Sequence, residues 1–314
     1  MFANHIGASL IAPRILTAFF IVVILFGCSS MTINMPAVTD DPGGQRLPGK
    51  IVWHELITDT PDESRRFYEE LFGWKFEDLG IDLGFTRTIN YTLIRHQGKL
   101  IGGLIDQNQL ATKADISQWM VSLSVEDVDA ATRHVESSGG TVFSPPIDLA
   151  ERGRMSIVSD PQGAMLALLE TRGGDPADEP EVAVGGFLWN ELWTGDTGAA
   201  TEFYQGLAKY EYTDRELDPE DASKTYRVLT VGDTPRAGVI TNPVEGLIPL
   251  WVTYIRAADA AALDSIVARV ENLGGSLLLA PQDRAIGGRV ALIADPSGAG
   301  IAVQTWPASV GERK

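Results

Sequence analysis

The sequence contains two similar halves, and this internal repeat restricts the fold more than any other feature. Four short motifs of the first half return in the second half at a nearly constant spacing. They are Trp53 and Trp189, Phe67-Tyr68 and Phe203-Tyr204, Gly139-Gly140 and Gly274-Gly275, and Asp160-Pro161 and Asp295-Pro296. A spacing that stays so regular over a long stretch indicates that one domain has been duplicated. We expect two domains of one fold, at residues 50–172 and 184–306, joined by an acidic linker at 173–183.

Each half contains two copies of a smaller unit. Residues 51–58 have the alternating pattern of a strand, and Thr60 and Pro61 then carry the signals of a helix start. Gly73 predicts the end of that helix, and three strands separated by glycine-containing turns follow. The same order begins again at Trp119. The sequence therefore predicts an α+β fold of four βαβββ units, two in each domain.

Three motifs carry a resemblance to a known superfamily. They are the first strand followed by "FYEELFGW", the Gly-Gly pair after the second helix, and "DPQG" or "DPSG" before the last strand of each half. In these motifs the chain resembles the vicinal oxygen chelate superfamily, which groups glyoxalase I, extradiol dioxygenases and the fosfomycin- and bleomycin-resistance proteins. The resemblance extends over residues 50–306 and implies two tandem glyoxalase-like half-barrel domains. It also implies a concave ligand-binding cup against each sheet, cup 1 in the first domain and cup 2 in the second.

Enzymes of this superfamily usually hold a divalent metal in the cup. Counting from the motifs places six residues at the ligand positions that the resemblance implies. They are Trp53, Met120 and Ala167 in the first half, and Trp189, Val252 and Ala302 in the second. None of these is an ordinary ligand of a divalent ion. A shift of one residue reaches His54, but the second half then offers only Asn190. We therefore predict no metal site and no cofactor.

A tryptophan and a glutamate share the face on which a metal site is expected. Side chains two residues apart on a strand point the same way, so Trp53 and Glu55 face cup 1. For the same reason Trp189 and Glu191 face cup 2. In a functional interpretation the indole binds an apolar or cationic group, and the glutamate binds a cation or acts as a general base. The two glutamates are then the candidate catalytic residues, and the two tryptophans are candidate ligand-binding residues.

A structural interpretation of the same pair stays open. The tryptophan would fill the space of a metal site, and the glutamate would pair with an arginine on a neighbouring strand. Arg154 and Arg289, which occupy matching places in the two halves, are the candidates for that partner and for ligand binding. His54 would face away from the cup. Trp119 and Trp251 would belong to the core or to an interface.

The amino terminus has the pattern of an export signal. Residues 1–27 contain no Asp or Glu, and residues 15–26 form an apolar run that is too short to span a membrane but suits a signal peptide. The run leads into "LFGC", which resembles a bacterial lipoprotein signal with Cys28 as the lipid-carrying residue. We expect a flexible tether at 28–49 and attachment to the cell envelope, on the outer membrane facing the periplasm. The alternative is a start at Met31.

The net charge of −17 limits the partners. A surface this acidic disfavours nucleic acid and suits a neutral or cationic small molecule. The leading hypothesis is a membrane-anchored protein that binds a small cationic or aromatic molecule in a metal-free cup. One alternative is a glyoxalase, lyase or hydroxylase that uses Glu55 or Glu191 as its base. Another is a structural interaction module of the envelope, and a homodimer stays open in each case.

Overall fold

The computed structural model of the protein describes residues 33–82, 88–110, 112, 114–217 and 225–305. The predicted signal peptide, Cys28 and the carboxyl-terminal tail at 307–314 lie outside these residues. Among the helices in the described ranges, none is long and apolar enough to cross a bilayer.

The first half forms one eight-stranded mixed sheet with two helices. Its strand order is β2-β3-β4-β1-β5-β8-β7-β6. The elements are β1 (Ile51–Thr58), α1 (Pro61–Phe72), β2 (Lys75–Asp82), β3 (Thr88–His96), β4 (Lys99–Asp106), β5 (Gln118–Ser124), α2 (Val128–Ser137), β6 (Thr141–Asp148), β7 (Gly153–Ser159) and β8 (Met165–Thr171). β1 and β5 meet antiparallel at the centre of the sheet, and each continues into a parallel pair, with β4 and β8 respectively.

The second half repeats this arrangement strand for strand. Its order is β10-β11-β12-β9-β13-β16-β15-β14. The elements are β9 (Phe187–Thr194), α3 (Thr197–Gln205), β10 (Glu211–Glu216), β11 (Thr225–Val231), β12 (Thr234–Thr241), β13 (Leu250–Ala257), α4 (Ala260–Val270), β14 (Ser276–Asp283), β15 (Arg289–Ala294) and β16 (Gly300–Thr305). The predicted α+β fold of four βαβββ units in two tandem domains is confirmed.

The two domains share their helices across a common interface. Apolar side chains of α1 cluster with α4 and with β13, β15 and β16 of the other domain, while α3 clusters with α2 and with β5, β7 and β8. The indole of Trp119 donates to Tyr68 Oη at 2.8 Å, and that of Trp251 donates to Tyr204 Oη at 3.0 Å. These matching bonds confirm that Trp119 and Trp251 belong to the core at the interface.

The segment expected to be a flexible tether is instead packed on the first domain over residues 33–49. The Gly49 amide donates to the Ser124 carbonyl at 2.9 Å, and the Leu47 amide donates to the carboxylate of Asp175 at 2.6 Å. Asp175 belongs to the acidic linker and is 3% exposed. This buried aspartate of the linker ties the amino-terminal segment to the domain, because the backbone amides there need acceptors.

Candidate functional site

Glu55 lies on the floor of cup 1, at the centre of the sheet. Its register neighbours are Gly103 on β4 and Met120 on β5. The carboxylate Oε2 accepts hydrogen bonds from Trp53 Nε1 and from Tyr91 Oη, each at 3.0 Å. The tryptophan and the glutamate therefore do share the cup face, and they contact each other directly.

The glycine opposite Glu55 makes this arrangement sterically feasible. A Cβ at Gly103 would lie 1.8 Å from Tyr91 Oη and 2.4 Å from Glu55 Oε1. Its counterpart Gly238 on β12 has the same role, since a Cβ there would lie 2.2 Å from Tyr226 Oη. Each glycine thus admits the tyrosine hydroxyl to the carboxylate.

The arginine partner of Glu55 is Arg152, which the sequence pattern did not reveal. Its Nη1 lies 3.6 Å from Glu55 Oε2 and donates to Tyr91 Oη at 3.0 Å. The guanidinium also stacks over Trp53, with Cζ 4.3 Å from the ring centroid. The functional interpretation gave this indole an apolar or cationic group of a ligand, and the chain's own guanidinium lies there.

Arg154, the predicted partner, is elsewhere. It forms ion pairs with Asp129 at 2.8 Å and with Asp148 at 3.2 Å on the outer surface. Arg152 lies in a short 3₁₀ turn before β7 and reaches the cup from that loop. The alternation of side chains along a strand therefore could not identify it as the partner of Glu55. The prediction that Arg154 neutralises Glu55 is wrong.

Burial dominates the electrostatics of cup 1. Loss of solvent raises the pKa of Glu55 to about 7, and the charge of Arg152 only partly opposes this effect. Two polar atoms of the pair, Glu55 Oε1 and Arg152 Nη2, are buried without a hydrogen-bond partner among the described residues. The floor of cup 1 therefore has one unused acceptor and one unused donor.

Cup 1 is occupied by the chain's own residues 33–38, which we call the plug. Val38 is 2% exposed and belongs to the apolar cluster of the cup with Trp53, Tyr91 and Leu169; Ile33 and Met35 pack against the same cluster. The plug backbone is bound by Arg152, whose Nε donates to the Pro36 carbonyl at 3.0 Å. The backbone amide of Arg152 donates to the Met35 carbonyl at 3.2 Å.

Glu191 occupies the matching floor position in cup 2 and is fully buried. Tyr226 Oη donates to Oε1 at 2.8 Å, Tyr254 Oη donates to Oε2, and Trp193 Nε1 lies 3.4 Å from Oε2. Trp189 donates to Tyr226 Oη at 2.7 Å rather than to the glutamate. Burial and the nearby carboxylate raise the pKa of both tyrosines well above the usual value, so their hydroxyls act as donors.

Arg284 closes the cup 2 network. Its Nη2 donates to both oxygens of Glu191, at 2.9 and 3.1 Å, and its Nη1 donates to Gln304 Oε1 at 2.7 Å. Arg289, the predicted partner, instead points to Asp264 at 3.6 Å and to the Pro281 carbonyl. The prediction that Arg289 neutralises Glu191 is wrong for the same reason as in cup 1, because the partner comes from the loop before the strand.

The walls of cup 2 are apolar and aromatic. A buried cluster contains Trp189, Trp193, Tyr226, Val252, Tyr254 and Ala302, with partly buried aliphatic side chains packed around it. Gln304 follows Ala302 by two positions on β16 and so shares the cup face. Its Nε2 is buried and has no hydrogen-bond partner among the described residues. Cup 2 therefore combines an aromatic wall with one unused amide donor.

His54 faces away from cup 1, as predicted. It stacks on Phe187 with ring centroids 3.9 Å apart, and its Nε2 lies 3.0 Å from Asn190 Oδ1. Because an amide oxygen can only accept, the histidine nitrogen is the donor, and Thr253 Oγ1 donates to the same oxygen. Burial lowers the pKa of His54 to about 4. His54 and Asn190, which occupy equivalent positions in the two halves, thus contact each other at the domain interface.

Comparison with known proteins identifies the family of the chain. A family model described as the Glyoxalase/Bleomycin resistance protein/Dioxygenase superfamily matches residues 50–168. The putative glyoxylase CFP32 of Mycobacterium tuberculosis is 30% identical over 250 residues, which are 79% of this chain and 91% of that protein. The anthracycline biosynthesis protein DnrV of Streptomyces peucetius is 32% identical over 281 residues, 84% of this chain and 97% of that protein. The chain belongs to the glyoxalase/bleomycin resistance protein/dioxygenase superfamily.

Solved structures of a glyoxalase and of a dioxygenase have a similar fold. The Mn(II)-bound glyoxalase from Novosphingobium aromaticivorans aligns with a TM-score of 0.53 at 15% identity, covering 82% of each chain. An extradiol ring-cleaving dioxygenase from B. fuscum aligns with a TM-score of 0.56 at 15% identity, covering 88% of this chain and 77% of that one. At this identity the likeness concerns the fold alone.

A divalent metal of the kind found in that glyoxalase does not fit the residues in either cup. Among the described residues, no three His, Cys, Asp or Glu side chains come together as a ligand set. Each floor carboxylate lies against an arginine, Arg152 or Arg284, whose positive charge would oppose a second cation. A metal-free cup stays a prediction for this superfamily member, and metal analysis of the purified protein checks it.

Several site residues could have been recognised from the repeat. Tyr91 and Tyr226 recur at the same spacing as the four motifs, and this signal would have identified them. Arg152 and Arg284 lie slightly closer together than that spacing, because their loops differ in length, and so the repeat did not reveal them. Tyr254 has no counterpart, since Ser122 occupies its place in the first half.

Proposed function

We propose that the protein binds a small aromatic molecule carrying ketone or hydroxyl oxygens in cup 2. The observation that carries the proposal is the unused Nε2 donor of Gln304 on a fully buried side chain. A buried donor without an acceptor is unfavourable, so a ligand that brings an oxygen atom to this position gains a hydrogen bond at little competing cost.

The aromatic wall supports the choice of ligand. Trp189, Trp193, Tyr226 and Tyr254 surround the floor of cup 2, and flat rings pack favourably against such side chains. DnrV, at 32% identity, is named as an anthracycline biosynthesis protein. Anthracyclines are polycyclic aromatic molecules with ketone and hydroxyl groups, which is the chemistry that this wall and the amide of Gln304 suit.

The charge of Glu191 gives little support to a cationic ligand. Arg284 already contacts both oxygens of Glu191, so the carboxylate on the floor of cup 2 is neutralised by the chain itself. A ligand cation would have to compete with a guanidinium fixed by two hydrogen bonds. Of the cationic and aromatic ligands that the sequence suggests, we therefore favour an aromatic one.

The enzymatic alternative has one supporting observation. Because burial raises the pKa of Glu55 to about 7, this carboxyl group could exchange a proton with a bound molecule near neutral pH. Glu191 offers a ligand no free lone pair of this kind, since each of its oxygens already accepts at least two hydrogen bonds. A lyase or hydroxylase activity that survives Glu55→Gln would count against this alternative.

The proposal also includes attachment of the protein to the cell envelope through a lipid on Cys28, with the body facing the periplasm. Its support is the sequence "LFGC" after a short apolar run. Expression with residues 1–28 intact should yield a membrane-bound protein that Cys28→Ala releases. Recovery of the wild type in the soluble fraction would contradict it.

The binding proposal is tested with 1,4-dihydroxyanthraquinone, followed by quenching of tryptophan fluorescence. Gln304→Leu places in cup 2 the residue that cup 1 has at this position, Leu169, and should weaken binding about tenfold, equivalent to one lost hydrogen bond. The matched control is Tyr91→Phe in cup 1, which should leave the dissociation constant unchanged. Equal affinity of wild type and Gln304→Leu would overturn the proposal.

A further inference from the structure

The plug in cup 1 binds through a small number of contacts. Val38 is its one fully buried apolar side chain, while Ile33 and Met35 are only partly buried. Two backbone carbonyls, those of Met35 and Pro36, accept hydrogen bonds from Arg152. The free energy gained from these contacts is offset by the entropy lost in ordering the segment, so the plug is able to open locally.

The plug does not satisfy the polar floor beneath it. Glu55 Oε1 and Arg152 Nη2 are buried and have no hydrogen-bond partner in the described part of the chain. The plug offers only backbone carbonyls to this region, and both of them bond other atoms of Arg152. Leaving a donor and an acceptor unused in a buried site is unfavourable, and an occupant that serves both would be preferred.

A hydroxyl group has the chemistry that this floor lacks. Its proton can be donated to Glu55 Oε1, and its oxygen can accept from Arg152 Nη2. The surrounding side chains, which include Trp53, Tyr91 and Leu169, require the remainder of the molecule to be apolar. A phenol or a related apolar alcohol meets both conditions.

We propose that cup 1 is a second ligand site, closed by the plug at residues 33–38, and that a compact apolar molecule bearing a hydroxyl group opens it by displacing the plug. This site is independent of the one in the second domain, because it uses Glu55 and Arg152 and no side chain of that other cup. The apparent association constant equals the intrinsic association constant multiplied by the fraction of molecules in which the plug is open.

The experiment uses 2-naphthol as probe and the whole mature chain. In wild type, hydrogen exchange of the backbone amides at residues 33–42 should become faster when 2-naphthol is added, because a ligand that displaces the plug exposes it. A ligand confined to cup 2 would leave this segment unchanged. Unchanged or slower exchange at residues 33–42 with saturating probe would overturn the proposal.

A variant of the plug provides a second measurement. Val38→Ser removes the buried apolar contact without touching the floor, and a plug opened about tenfold more often should bind 2-naphthol about tenfold more tightly. The matched control is Val244→Ser, which alters a partly buried side chain packed at cup 2 and should not change the exchange at 33–42. Equal 2-naphthol affinity of wild type and a folded Val38→Ser variant would contradict displacement. If only the proposed binding in cup 2 is wrong, the anthraquinone titration fails and the 2-naphthol measurements keep their expected results.

Discussion

The two cups have nearly the same floor but differ in the residues around it. Each has a central glutamate bonded by a tyrosine from the third strand of its domain and paired with an arginine from the loop before the seventh strand. Cup 1 then has Leu169 and a plug of its own chain, whereas cup 2 has Gln304 and a second tyrosine, Tyr254. Duplication has therefore retained a buried charged pair while the walls changed.

The distance within the ion pair differs between the two cups. Arg284 contacts both oxygens of Glu191, at 2.9 and 3.1 Å, but Arg152 lies 3.6 Å from one oxygen of Glu55. A close, fully hydrogen-bonded pair compensates the loss of solvent better than a looser one. This agrees with the pKa of Glu55, which burial raises to about 7 in spite of its arginine.

The largest expected effect comes from removing these arginines. Arg284→Met should lower the free energy of unfolding by about 4 kcal/mol, because it leaves a buried carboxylate unpaired. Arg152→Met should lower it by only about 2 kcal/mol, since burial raises the pKa of Glu55 to about 7 and the carboxyl group can take up a proton when its arginine is removed. Urea unfolding at pH 7 measures both values.

The double variant Arg284→Met with Glu191→Leu serves as the control. It replaces the charged pair by apolar groups of similar size and should recover part of the lost stability, because no buried charge stays unpaired. Recovery is incomplete, since the hydroxyls of Tyr226 and Tyr254 lose their acceptor. Equal losses for Arg284→Met and Arg152→Met would show that the cups do not differ in the way their distances indicate.

The sequence predicted the strands and the floor glutamates because both follow strict spacing rules. The alternation of side chains on β1 indicated that Trp53 and Glu55 point into the same cup, and the repeat indicated the corresponding pair on β9. The arginines lie in loops, where no periodicity relates a position to a direction, and the sequence could not identify them. The plug was mistaken for a tether because its apolar residues are isolated in a polar stretch, and only tertiary contacts show that Val38 is buried.

A second prediction concerns the pH dependence that Glu55 confers. Since the folded-state pKa, about 7, is above the ordinary value of 4.5, the folded protein binds more protons than the unfolded chain between these pH values. The contribution of Glu55 to stability therefore falls as pH rises from 4.5 to 7, by up to about 3 kcal/mol. Glu55→Gln should remove this decline, measured as unfolding midpoints over the same range.

His54, the next residue toward the amino terminus, should act in the opposite direction. Its folded-state pKa, about 4, is below the ordinary value of 6.5, so the unfolded chain binds more protons between these values. Stability from this group is present above pH 6.5 and is lost as pH falls toward 4. His54→Asn, which copies Asn190, should remove that loss and uncover the slope of Glu55. A wild-type slope that neither variant alters would contradict both assignments.

The smallest expected effect concerns the glycines beside the two glutamates. Gly238→Ala should lower the free energy of unfolding by about 2 kcal/mol, because its Cβ would lie 2.2 Å from Tyr226 Oη and 2.7 Å from Cζ, and the ring has to move. Gly103→Ala should be milder, although its Cβ meets Tyr91 Oη at 1.8 Å. The looser pair of cup 1 and the plug that can open let Tyr91 shift, while Arg284 and Tyr254 hold the network of cup 2 in place.

The control for both glycine variants is Gly80→Ala on β2, where a Cβ meets only a methyl group at 3.4 Å and the stability should stay within about 0.5 kcal/mol of wild type. A double-mutant cycle with Tyr91→Phe or Tyr226→Phe then separates the clash from loss of the hydroxyl. After the oxygen is removed, Cζ still conflicts in both cups, at 2.5 Å from the added Cβ in cup 1 and 2.7 Å in cup 2. The stability recovered should nevertheless be larger in cup 1, because its looser ion pair lets the ring shift, than in cup 2, where Arg284 and Tyr254 hold the network in place. If the two cycles give equal coupling, the rigidity that distinguishes cup 2 does not come from its tyrosines, and the difference between the cups lies in the plug alone.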